Sequence, residues 1–366
     1  MQTKLFIPGP INISDRIREV RANHYPYGHR TPVVSGHLKP AMENAKKLFY
    51  IDSVPYEIIV STSSGTGLME GALRNCVKDE EKVLMVSIGA FGDLWQNVAK
   101  KNGKNMDALS FTPGEPADLQ VIEDKLKTGE FAAIGITHNE TSTGVTNSID
   151  KVGEITKKYN VLLLVDAVSS VAGMPLKVEE WGVDVILTSA QKNLGIDSGI
   201  ALGAVSPKAI EKAAQVPNRG YYFDFLEFQK YAAKGQTPTT PNEVAIDELD
   251  AQLDYIINTE GLENRFARIQ KLADHVRSWA AARNLKPFPK SNPSNTVVCI
   301  ENTNNVDLAN VKKEMAGKGF AFDSGYRKLN DALQAKGLAT TFRIPVMGDI
   351  TEAEINEYLT HLEEYF

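Results

Sequence analysis

The middle of the chain carries short, nearly unbroken apolar runs at positions 56–61, 82–87, 132–137, 161–165, 184–189 and 200–205. In the run Val161-Leu162-Leu163-Leu164-Val165, apolar and polar residues do not alternate. A strand with one wet face shows a period of two, whereas a continuous run needs cover on both faces. Such runs therefore mark a mostly parallel sheet packed between helices. Between them, positions 119–127 and 152–158 repeat apolar residues at helical spacing and predict covering helices.

Beyond Pro241 the pattern predicts long helices over 244–255 and 261–282. The remainder predicts strands near 296–300 and 341–344 and helices near 308–318 and 352–365. Segment 286–295, rich in Pro, Asn and Ser, reads as a loop among them. Pro8-Gly9-Pro10 rules out a helix at the start, so an extended arm is expected there. The expected fold is α/β. An arm over 1–15 packs with the small domain, a large domain spans 16–255 with a mostly parallel central sheet flanked by helices, and a smaller α+β C-terminal domain spans 256–366.

Composition narrows the function classes. The 366 residues are 42% hydrophobic and 23% charged, an ordinary globular balance. A formal net charge of -6, from 40 basic and 46 acidic residues mixed along the chain, offers no concentrated basic face for nucleic acid or a membrane surface. No apolar run reaches the about 18 residues of a membrane span, and no leader pattern opens the chain. Cys76 and Cys299 lie far apart with no ligand partner at metal spacing, so no metal site is expected and each reads as a small buried apolar residue. A soluble protein of a reducing cytoplasm is expected.

In sheets of this kind ligands bind beyond the carboxyl ends of the strands, and the polar motifs fall there. Ser61-Thr62-Ser63-Ser64-Gly65-Thr66-Gly67 follows one run and opens a helical pattern. Small hydroxyl and glycine residues at a helix start can cap the helix or leave its amides free for a phosphate. Its glycine spacing is not that of a dinucleotide fingerprint. Phe91 lies in the loop Gly89-Ala90-Phe91-Gly92, where it could be a core residue or a stacking platform. His138-Asn139-Glu140-Thr141-Ser142-Thr143-Gly144 is unusually polar for the end of a buried strand. Asp166 ends the run 161–165, a costly place for a carboxylate without a cation. Lys192 follows the run 184–189, where desolvation would lower its pKa and make it an amine nucleophile. A phosphate cradle, a flat aromatic, a buried Asp and such a Lys together fit pyridoxal phosphate: the Lys holds its aldehyde as a Schiff base and the Asp pairs with its pyridinium nitrogen.

With these residues in order, the chain resembles the class V aminotransferases of the fold-type I pyridoxal-phosphate enzymes. It is most similar to the serine–glyoxylate, alanine–glyoxylate and serine–pyruvate group. The resemblance runs from Phe6-Ile7-Pro8-Gly9-Pro10 through Gly28-His29-Arg30-Thr31-Pro32, Ser64-Gly65-Thr66-Gly67, His138 to Val145, Val165-Asp166-Ala167-Val168-Ser169-Ser170, Glu180-Trp181-Gly182 and Ser189-Ala190-Gln191-Lys192 to Phe342-Arg343-Ile344-Pro345. No one motif is decisive; order and spacing are, notably the 26 positions from Asp166 to Lys192.

The resemblance implies the following roles. Lys192 would hold the cofactor and then carry the proton, Asp166 would pair with the ring nitrogen, and Phe91 would stack on the ring. Ser64, Gly65 and Thr66, helped by Gln191, would bind the phosphate, and Thr141 would bond the phenolic oxygen. Arg343 would grip the substrate α-carboxylate, with Pro8, Gly9, His29 and Arg30 lining the substrate pocket. Thr240 aligns with a threonine that reaches the phosphate from the neighbouring subunit, and Thr237 stands where some relatives carry Tyr; both imply a homodimer with shared sites. The implied reaction is ping-pong transfer of an amino group from serine or alanine to glyoxylate or pyruvate.

The alternative is phosphoserine aminotransferase, in which a His-Arg pair in the segment matching His29-Arg30 contacts the substrate phosphate. A cysteine desulfurase is disfavoured, because Gln191 precedes Lys192 and Cys299 lies in a strand pattern. A non-catalytic ligand-binding relative would need a catalytic group lost, and Lys192, Asp166 and Arg343 are all present. One departure stands out: relatives carry Pro-Pro-Gly or Pro-Ala-Gly where this chain has Ile196-Asp197-Ser198-Gly199, a loop expected to border the substrate.

Overall fold

The computed structural model describes residues 3–366; positions 1 and 2 of the expected arm lie outside the described residues. Seven strands build the central sheet: β1 (Glu57–Ser61), β2 (Lys82–Ser87), β3 (Asn105–Ser110), β4 (Phe131–Thr137), β5 (Leu162–Asp166), β6 (Val185–Ser189) and β7 (Ala201–Val205). Their order across the sheet is β1-β7-β6-β5-β4-β2-β3. β7 runs antiparallel to both neighbours and the other four pairings are parallel. Each apolar run is a strand, with ends shifted by at most one residue. The strand that the pattern missed, β3, is a sheet edge without a fully buried position, so its residues never needed to be apolar.

The continuous run at β5 is explained by the pleat. Successive side chains point to opposite faces. Leu163 and Val165 enter an apolar layer with Ile134, Ile136 and Ile186, while Leu162 and Leu164 enter the opposite layer with Met85, Ala133 and Leu187. Helices Leu119–Leu126 and Ile149–Tyr159 cover the first layer through Ile122, Leu126, Ile149 and Val152.

A third apolar cluster forms around the C-terminal strands Val297–Glu301 and Thr341–Pro345 and helices Leu262–Ala281 and Glu352–Leu362. The arm joins it: strand Lys4–Phe6 pairs in parallel with Phe320–Phe322, and Phe6 stacks on Tyr358 with ring centroids 3.8 Å apart. Two expectations are refined. The first of the two long helices is longer than expected and the break falls later: Glu243–Asp254 runs on as a π-helical stretch, Tyr255–Glu260, and Gly261 at φ +82° separates it from Leu262–Ala281. The loop 286–295 begins as a short strand, Lys286–Pro287, paired with Val297–Glu301. No helix among the described residues is long and apolar enough to cross a membrane.

Candidate active site

The carboxyl ends of β4, β5 and β6 face the N-termini of helices Gly65–Cys76 and Ala90–Lys101 across a cleft of about 140 Å³. Ser64, Gly65, Thr66, Phe91, Thr141, Asp166, Gln191 and Lys192 all line it. Five separate strand ends deliver them, because every crossover helix returns the chain to the same sheet edge.

Asp166 is the last residue of β5 and is 2% exposed. Its Oδ1 accepts from the amide of Val168 at 2.9 Å and its Oδ2 from Thr137 Oγ1 at 3.3 Å. No ion pair to it is formed among the described residues. Burial therefore pushes its carboxyl up to about 7, against the pull of the Val168 amide, with Glu140 adding to the rise. A buried acid in this state lacks a cation, and a pyridinium nitrogen is one.

Lys192 follows β6 and is 9% exposed. Burial lowers its ammonium to about 8; Arg343 lowers it further, and Asp166 and Asp323 oppose. Its Nζ donates to the Pro8 carbonyl, and Gly9 packs against its side chain. The amide of Ile11 donates to Gln191 O at 3.3 Å, which ties the arm to the same loop. Pro8 and Gly9 are thus brought to the lysine by tertiary packing alone.

Ser64 is the N-cap of helix Gly65–Cys76, yet its side chain makes no capping bond. That leaves a helix N-terminus and free hydroxyls facing the cleft, the donor set of an anion site. A Cβ at Gly65 would sit 2.6 Å from Val168 Cγ2, so glycine is what lets this helix start so close to the loop after β5. Thr141 Oγ1 lies 2.6 Å from Ser169 Oγ, and Gln191 Oε1 accepts from Ser189 Oγ at 2.6 Å. Phe91 sits half-buried in the first turn of Ala90–Lys101. Arg343, on strand Thr341–Pro345, donates through Nη1 to the Thr141 carbonyl at 2.9 Å. An uncapped helix end, a carboxylate without a cation, a neutralisable amine and an aromatic wall form a donor set that fits a flat, cationic, phosphorylated ring.

Pro8, Gly9 and Arg343 touch Lys192 or Thr141 without lining the cleft itself, and four other named residues lie elsewhere in the chain. The Arg30 guanidinium donates to the carbonyls of Thr237 at 2.7 Å and Pro238 at 3.0 Å and stacks on Tyr231. Thr237 Oγ1 donates to Thr239 O at 2.7 Å, Thr240 is exposed and His29 is half-buried. None of the four lines the cleft of its own chain. The loop Ile196 to Gly199 does not line it either. Ile196 is buried in the core, and Asp197 pairs with Arg21 at 2.5 Å.

Three residues escaped the sequence reading. Glu140, fully buried, accepts from the amides of Phe91 at 3.0 Å, Gly92 at 3.2 Å and Ser142 at 3.0 Å. It thereby clamps the helix that carries Phe91 to the loop that carries Thr141; the dense polar string around it was the available signal. Arg265, also fully buried, donates to the Asn193 carbonyl at 2.7 Å, next to Lys192, and pairs with Glu260 and Asp349. Asp323 meets Arg343. Neither of these two stands in a motif.

Comparison with known proteins shows the family. The family model described as aminotransferase class-V matches residues 9–358. The serine–glyoxylate aminotransferase of Arabidopsis thaliana is 33% identical over 98% of this chain and 89% of its own length. The L-aspartate–glyoxylate aminotransferase of Paracoccus denitrificans is 34% identical over 78% of this chain and 72% of its own. Among solved structures, an alanine–glyoxylate aminotransferase from Nostoc sp. superposes with a TM-score of 0.91 at 25% identity, covering 100% of this chain and 95% of that one.

Proposed function

The chain belongs to the class V aminotransferases and is a transaminase; on that premise we propose that it uses pyridoxal phosphate to move an amino group from a small amino acid, serine or alanine, to glyoxylate or pyruvate. The observation that carries this reading is the pair at the strand ends, a buried Asp166 without a cation and a buried Lys192 whose ammonium is lowered to about 8.

When bound, pyridoxal phosphate supplies an aldehyde that condenses with amines and a ring that withdraws electrons from the α-carbon. Ser64, Gly65 and Thr66, with Gln191 beside them, would hold its phosphate, and Thr141 its phenolic oxygen. Asp166 would hold its ring nitrogen protonated, and Phe91 would cover one face. Lys192 can take up and release a proton at Nζ near neutral pH, because burial has already discouraged its charge. Pro8 and Gly9 close over that nitrogen and keep water from it. Arg343 would orient the substrate by its α-carboxylate.

The substrate assignment draws on relatives named for serine–glyoxylate and alanine–glyoxylate transfer. The phosphoserine alternative needs the His29-Arg30 pair at the substrate, and the Arg30 guanidinium is already held by two backbone carbonyls. A homodimer with Thr240 and Thr237 facing the partner's cleft is part of the proposal. It is supported by the exposure of Thr240 and by Tyr25 and Tyr221, which are 85% and 80% exposed, whereas Thr237 is buried with its hydroxyl on the Thr239 carbonyl. The division into arm 1–15, large domain 16–255 and small domain 256–366 is proposed on the separate apolar clusters. A cytoplasmic location suits the two free, buried thiols.

The test is an absorbance scan of the purified protein with single amino acids. A visible band that shifts with serine or alanine and returns with glyoxylate or pyruvate is expected. A Lys192→Ala protein with full transamination would overturn the site, and a preference for phosphoserine with 2-oxoglutarate would overturn the substrate class.

A further inference from the structure

Strand Phe320–Phe322 is followed by Asp323, which bridges to Arg343, the residue whose Nη1 reaches the Thr141 carbonyl at the cleft wall. The Arg343 amide donates to the Asp323 carbonyl at 3.2 Å. Asp323 Oδ1 and Oδ2 accept from Arg343 Nε at 2.8 Å and Nη2 at 2.9 Å, a two-pronged pair. Oδ1 also accepts from the Gly325 amide at 2.9 Å. The turn that aims Asp323 is rigid: Gly325 has φ +85°, and a Cβ there would meet the Thr341 carbonyl at 2.1 Å. Both charged side chains are nearly buried, 8% and 12% exposed.

A guanidinium has five N–H donors. In Arg343 two go to Asp323 and one, from Nη1, goes to the Thr141 carbonyl. One N–H remains on each terminal nitrogen, enough for a single carboxylate. The charge of Arg343 is already balanced before any substrate binds. Lys192 Nζ donates to the Pro8 carbonyl, and Arg30 is held at the carbonyls of Thr237 and Pro238. A substrate with one carboxylate finds the open N–H pair. Among the described residues of the same chain, a second carboxylate finds Asp323 and no unpaired cation.

We infer that Asp323 is a specificity-determining residue, which fixes Arg343 to take one α-carboxylate and repels substrates that carry a second. The inference rests on the transaminase site proposed above and deepens it: the donor is neutral in its side chain and the acceptor is a monocarboxylic oxo acid. A second carboxylate brought near that of Asp323 without a cation of its own is expected to lower kcat/KM by roughly tenfold.

The test compares wild-type holoenzyme with Asp323→Asn and Asp323→Ser, reading kcat/KM of the half-reaction with serine, alanine, aspartate and glutamate. The wild type should favour the neutral donors, and both variants should lower the serine-to-aspartate ratio by roughly tenfold or more. A role confined to stiffening Arg343 would depress all donors equally, and that result would overturn the inference. The wild type alone gives a second reading: propionate should compete with substrate better than succinate, and equal competition would overturn it too. Conversion of wild type by no amino acid would instead remove the transaminase site itself and the inference with it.

Discussion

Gly9 and Lys192 share a space that admits no further carbon. A Cβ built on Gly9 would lie 2.6 Å from Nζ and 2.7 Å from Cδ of Lys192, and Gly9 has φ +118°, a conformation L side chains rarely adopt. The arm therefore packs against the lysine as well as against the C-terminal apolar cluster. Gly9→Ala should displace either the arm or the lysine and cost about 1–3 kcal/mol of stability. Thermal melting together with cofactor titration would check this. An alanine variant with unchanged melting and unchanged cofactor binding would show that the arm does not close over the lysine.

The lowered ammonium of Lys192 predicts how the apoprotein takes up its cofactor. The neutral amine is the nucleophile, and burial brings the ammonium down to about 8. Reconstitution with pyridoxal phosphate should therefore speed up as pH rises through about 8 and level off above it, whereas an ordinary lysine would still be gaining rate near pH 10. Stopped-flow absorbance across pH 6–10 reads this directly.

Asp166 predicts an exchange of stability for function. Its folded-state carboxyl is raised to about 7, so the folded apoprotein binds a proton that the unfolded chain releases near pH 4. That stabilising contribution is present at low pH and lost as pH rises through about 7. Asp166→Asn should thus make the apoprotein more stable at pH 8, by about 2–4 kcal/mol, while abolishing transamination. Denaturant melts at pH 5 and pH 8 separate the two effects. A variant that is equally destabilised at both would count against the uncompensated carboxylate.

Glu140 predicts a loss that begins at Phe91. Burial pushes its carboxyl up, opposed by bonds from Ser142, Gly92 and Phe91. Glu140→Gln sets an NH₂ group against amide donors, at a cost of about 1–3 kcal/mol, and frees the start of helix Ala90–Lys101. Weaker cofactor affinity with a shifted visible band is expected. A melt alone cannot distinguish this from general destabilisation, so the band position is the deciding measurement.

Arg265 predicts the largest loss of stability. It is fully buried and bonded to Glu260, Asp349 and the carbonyls of Ala172 and Asn193. Arg265→Met leaves the buried carbonyls of Ala172 and Asn193 without their donor and takes one of two arginine partners from each of Glu260 and Asp349, which keep Arg268 and Arg16; it should cost about 3–5 kcal/mol in a denaturant melt.

Much of this site was legible before folding. Ser64 to Thr66, Phe91, Thr141, Asp166 and Lys192 each follow a strand, and the sheet topology delivers every strand end to one edge. The edge strand Asn105–Ser110 was not legible, because half-exposed residues face no selection for apolar character. Nor were Asp323 and Arg265, whose partners lie 20 and 84 positions away on other elements.

The sequence by itself determined the class of fold, the family and the residues at the strand ends. Those follow from periodicity and from motifs that are local along the chain. Tertiary structure decided the charge state of Lys192 and Asp166, the closing of Gly9 over the lysine, the separation of Arg30 from the cleft and the pairing of Asp323 with Arg343. The reason is physical: burial and Coulomb interactions depend on distance in space and on exclusion of water, and neither quantity exists until the helices, the arm and the sheet have packed.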